Sequence, residues 1–96
     1  MTQLQKQLKE AYEDYVRANK KEPLYVDVAV KYFDDNNEDH SFGATIKLTE
    51  DVEEKYDDVI FFYCRGIDDL LSLCEKGVED FVITDFFGYF YNDLTL

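Results

Sequence analysis

The side chains here with chemistry to offer are a single histidine, two cysteines and an abundance of carboxylates, so their spacing comes first. His40 lies in the run DDNNEDHS, residues 34–41, with Asp34, Asp35, Glu38 and Asp39 just before it. An imidazole that catalyses needs an orienting partner and a nucleophile or metal within reach. No spacing in the chain proposes that set, and His40 reads as a solvated loop residue. The same run opens like a calcium loop. If Asp35, Asn37 and Asp39 are its first three ligands, His40 falls where the sharp turn requires glycine, and Ile46 where a bidentate glutamate belongs. The pattern fails at both places, and Asp and Asn are common turn residues in their own right.

Cys64 and Cys74 have no CxxC spacing and no histidine companion, so they read as reduced, half-buried small hydrophobes. Gly43, Gly66, Gly77 and Gly88 are isolated, and no glycine-rich phosphate loop follows a strand. The sequence therefore predicts no catalytic residue, no cofactor and no metal site: the chain is expected not to be an enzyme.

The carboxylates are the strongest signal. They come in pairs, at 34/35, 38/39, 50/51, 53/54, 57/58, 68/69 and 79/80, and give a net charge of −12. Residues 1–33 carry a net +1 and residues 34–96 a net −13. Such a surface is repelled by nucleic-acid phosphates and by anionic membranes, which excludes both as direct partners. Two readings of the acids follow. In one, they keep an aromatic-rich domain soluble and its sheet edges apart. In the other, Asp34, Asp35, Glu38, Asp39, Glu53, Glu54, Asp57 and Asp58 form a partner-binding surface. There the carboxylates of a rigid sheet imitate nucleic-acid phosphates toward a basic protein.

Elements must place these groups. A chain of 96 residues is expected to form one domain over 1–96. Its first residues, MTQLQKQLKEAYEDY, have the continuous apolar run of neither an export signal nor a membrane span, so a cytoplasmic protein is expected. Leu4, Leu8, Ala11, Tyr12, Tyr15 and Val16 make one apolar stripe on a helix over about 2–19, with Thr2 and Gln5 as a capping box. LYVDVAVKYF, residues 24–33, alternates with Val26, Val28 and Val30 inward. FGATIKLT, residues 42–49, alternates with Phe42, Ala44 and Ile46 inward, and the two strands predict a hairpin with a long acidic tip. EDVEEKYDD reads as an acidic connection, VIFFYCR as a third strand antiparallel to the second, and GIDDLLSLCEKG as a short helix ending at Gly77. A last strand spans 80–92. The order αβββαβ predicts an α+β two-layer sandwich, a four-stranded mixed sheet with both helices on one face.

That architecture makes the stretch DFFGYFYNDL, residues 85–94, a problem. Strict alternation sets Phe81, Ile83, Asp85, Phe87 and Tyr89 against Val82, Thr84, Phe86, Gly88 and Phe90, leaving large rings on both faces. A bulge at Gly88 would flip the phase and fold the surplus rings away. Otherwise Phe61, Tyr63, Phe86 and Phe90 form an exposed aromatic interface, with a homodimer as its commonest form. The expected function is a non-enzymatic, acidic protein-binding module. The alternative is a structural, homodimeric accessory protein whose acidity serves solubility.

Overall fold

The structure is a computed structural model and describes residues 1–49, 61–75 and 81–92. It is an α+β fold in which two helices pack on a four-stranded mixed sheet of order β3-β2-β1-β4. The elements are α1 (Gln3–Asn19), β1 (Tyr25–Phe33), β2 (Asp39–Lys47), β3 (Phe61–Tyr63), α2 (Ile67–Ser72) and β4 (Phe81–Tyr91).

Helix α1 begins as its sequence requires. Gln5 N–H donates to Thr2 Oγ1 (3.2 Å) and Thr2 N–H donates to Gln5 Oε1 (2.8 Å), a reciprocal capping box. The same Gln5 side chain is buried and donates from Nε2 to the carbonyl of Leu71 (2.9 Å). One residue thus closes the end of α1 and ties it to α2. The helix ends at Lys20 in the left-handed region (φ 60°), with its N–H on the Val16 carbonyl.

The β1–β2 hairpin runs in unbroken register from Tyr25↔Lys47 to Phe33↔Asp39. Val26 faces Ile46, Val28 faces Ala44 and Val30 faces Phe42, which fixes one apolar face because paired residues point the same way. Leu8 from α1 and Leu70 and Leu71 from α2 complete the core on that face. Asp39, His40 and Ser41 belong to β2, so the tip is shorter than the sequence suggested. Asp34 is the reason. Its Oδ1 accepts from the N–H groups of Asn36 and Glu38 (both 2.9 Å), and its own N–H donates to the Glu38 carbonyl (3.0 Å). Asn37 takes the left-handed conformation (φ 62°) that such a short turn demands.

Strand β3 departs from expectation. It pairs with β2 in parallel, Ile46 opposite Phe62, and not as the third strand of a meander. Parallel pairing needs a crossover of about a dozen residues or more, and the chain between Lys47 and Phe61 supplies that length. Strand β4 then pairs antiparallel with β1 at the far edge of the sheet. Gly77 and the connection at 51–60 lie outside the described residues.

Candidate functional site

The acids expected to bind a partner divide in two. Asp34, Asp35, Glu38 and Asp39 are brought together at the hairpin tip. Glu53, Glu54, Asp57 and Asp58 lie outside the described residues. At the tip, two carboxylates are already engaged. Asp34 Oδ2 meets His40 Nε2 at 2.9 Å, and Asp39 Oδ2 meets Lys31 Nζ at 3.0 Å. Hydrogen bonding to His40 and to backbone N–H groups holds the Asp34 carboxyl below its ordinary pKa, and the Lys31 ammonium does the same for Asp39. Asp35 and Glu38 are exposed, and neither carboxylate has a hydrogen-bond or ionic partner among the described residues. The tip therefore offers two uncommitted charges, held in place by a turn that two committed ones stabilise. His40, read as solvated, is exposed but engaged by Asp34 and lies 6.0 Å from the Tyr32 ring.

The aromatic face is corrected by the register of β4. Val30 pairs with Ile83 and Ala29 with Asp85, so Thr84 is an extra residue that reverses the phase. Asp85 Oδ1 accepts the N–H of Phe86 (2.8 Å) at this irregularity. A second irregularity, containing Gly88 at φ 103°, separates Phe86 opposite Val28 from Phe90 opposite Val26. Phe86 and Phe90 consequently lie on the helix-covered face. Phe90 is 5% exposed and meets Tyr12 edge-on at 5.6 Å. Neither is part of an exposed patch. Tyr63 is exposed, as expected, on the opposite edge of the sheet, and the side chain of Phe61 lies outside the described residues.

What the uncovered face does present is the other set of rings. Phe87 and Tyr89 are 54% and 60% exposed. Phe87 rests over the small pair Ala29↔Gly43, where a β-carbon on Gly43 would lie 3.8 Å from its ring. Tyr89 meets Tyr91 at 5.6 Å, and Tyr91 stacks on Tyr25 at 5.4 Å. Tyr91 Oη donates to Asp27 Oδ1 (2.6 Å), which also accepts from Thr45 Oγ1 (2.9 Å). Burial, and hydrogen bonding to a carboxylate, push the Tyr91 phenol above its ordinary pKa.

A third feature escaped the sequence reading. On the helix side, a concave pocket of about 630 Å³ is lined by Tyr32, Phe42, Phe62, Tyr63, Asp69, Leu73 and Phe81. Each of the four strands contributes a ring. Tyr32 is 41% exposed although it shares a face with fully buried Val30, so helix cover ends before the strands do. The signal that would have found it was Tyr32 and Phe42 on the inward face near the tip, beyond the reach of a second helix as short as α2. Among the described residues, no group of three or more His, Cys, Asp or Glu side chains is placed to hold a metal ion. No described helix is long and apolar enough to cross a membrane.

In comparisons with known proteins, the chain matches no family model, no curated protein and no solved structure.

Proposed function

We propose that this chain is a non-enzymatic protein-binding module that takes a basic protein on the acidic tip of its hairpin. The observation that supports this most is the unbroken β1–β2 register, closed by a turn in which Asp34 is bonded on both oxygens. A carboxylate array on such an arm loses little conformational freedom on binding, and preorganisation of this kind converts into affinity. The net charge of −12 adds long-range attraction for a basic partner, and that partner's nucleic-acid groove is the natural place for the arm. Glu53, Glu54, Asp57 and Asp58 add four carboxylates to the net charge that such a partner meets.

The test is competition. Labelled duplex bound to each of a panel of basic nucleic-acid-binding proteins is titrated with the chain, and release is read by anisotropy. The expected result is displacement from some panel members at low salt and loss of displacement at high salt. Charge reversal at Asp35 and Glu38, whose side chains make none of the turn's hydrogen bonds, should weaken the displacement. Displacement that ignores both salt and the reversal would remove the tip from the reading. A stable homodimer by light scattering, with no displacement, would favour the accessory-protein alternative, with Phe87 and Tyr89 as its face.

A further inference from the structure

We infer that the pocket beside α2 is a binding site for a small apolar organic cation, an aromatic or alkyl ammonium compound. Its volume of about 630 Å³ exceeds what one inserted side chain needs. It falls within the ~300–1,000 Å³ typical of small-molecule sites. Its walls are rings: Phe62 meets Phe81 at 4.4 Å with a tilt of 44°, and stacks near Phe42 at 6.5 Å. Tilted rings around a hollow present both edges and faces, and the negative faces attract cations.

Among the described residues, the charge lining the pocket has one sign: Asp69 supplies a carboxylate, and no described Lys, Arg or His lines it. Asp69 Oδ2 accepts the N–H of Arg65 at 2.9 Å, which fixes the carboxylate, and its Oδ1 makes no hydrogen bond among the described residues. An apolar anion would meet this carboxylate and the field of a chain at −12, and a neutral hydrocarbon would leave the carboxylate unused. An apolar cation satisfies the rings and Asp69 together. This inference does not depend on the hairpin tip.

Three probes of one shape decide it: anthracenylmethylammonium, anthracenemethanol and anthracenesulfonate, each titrated against the chain by fluorescence. The ammonium should bind about tenfold or more tighter than the sulfonate, with the alcohol between them. Asp69→Asn keeps the acceptor for Arg65 and should cost the ammonium about three- to fivefold while leaving the alcohol unchanged. Glu13→Gln on α1 removes the same unit of charge away from the pocket lining and should change neither. Phe62→Ala should weaken all three probes, and Asp69→Asn keeps the test valid if that variant fails to fold. Failure of every probe to bind, sulfonate binding equal to ammonium, or equal effects of Asp69→Asn and Glu13→Gln would each overturn the inference.

Discussion

Asp27 shows how a single carboxylate is made structural. Its position in YVDVAV places it on the outward side of β1, which the sequence alone makes plain. That one of its oxygens would accept hydrogen bonds from both Tyr91 and Thr45 depends on the register of three strands, and only the structure supplies it. Tyr91→Phe keeps the ring on Tyr25 and removes the donor, so it should cost about 1–2 kcal/mol by denaturant unfolding. In the intact protein the Tyr91 phenol should resist ionisation through the range where ordinary tyrosines titrate, as followed by ultraviolet absorbance. The cysteines make a second prediction. Burial pushes the Cys64 thiol to about 12 and the Cys74 thiol to about 11, so at neutral pH the reactive thiolate is scarce at both. Alkylation by iodoacetamide should be slow in native protein and fast in denaturant. Rapid native labelling of Cys64 would contradict its complete burial. The sequence reading of both as half-buried small hydrophobes fits Cys74, whereas Cys64 is fully buried.

At the scale of elements, periodicity carried what was legible. Apart from Val16, the stripe of α1 and the inward residues Val26, Val28, Val30, Phe42, Ala44 and Ile46 of β1 and β2 lie in the core or against it, since each pattern needs only its own period to be read. Strand direction is different. Whether β3 runs with or against β2 depends on the path of the chain between them, and the acidic run there has no period to show it. The phase of β4 was undecidable for a similar reason. Gly88 pointed to an irregularity, but the phase-reversing residue is Thr84, which carries no glycine-like mark. Two glycines separate conformation from space. Gly88 has nothing within 4 Å of a would-be β-carbon but sits at φ 103°, so Gly88→Ala should destabilise by about 1–2 kcal/mol through the backbone alone. Gly43 has an ordinary strand conformation and would meet only the edge of Phe87 at 3.8 Å, so Gly43→Ala should be neutral or stabilising by up to about 1 kcal/mol. Thermal or urea unfolding of the pair checks both. Equal costs would mean that the bulge does not set the position of Phe90.

For the whole molecule the governing quantities are thinness and charge. The domain measures 45 × 33 × 20 Å and carries a net −12, with its positive excess confined to the first 33 residues. At 0.01 M salt the Debye length is ~30 Å, longer than the 20 Å short dimension. Carboxylates on the sheet, the hairpin and α2 therefore repel one another through the whole thickness. Among the described residues, the ion pairs Arg17–Asp14 and Lys31–Asp39 are solvent-exposed, and such pairs contribute little to offset this. Folding concentrates charge that the unfolded chain spreads out, so screening should favour the folded state. Raising sodium chloride from low to moderate concentration should raise the melting temperature by about 4–8 °C, the shift that ~1 kcal/mol produces in a domain of this size. The direction is diagnostic. Were the exposed ion pairs important to stability, salt would lower the melting temperature instead. A rise with salt would mean that the acidity is maintained at the expense of stability, which solubility or an external basic partner can explain and the internal contacts cannot.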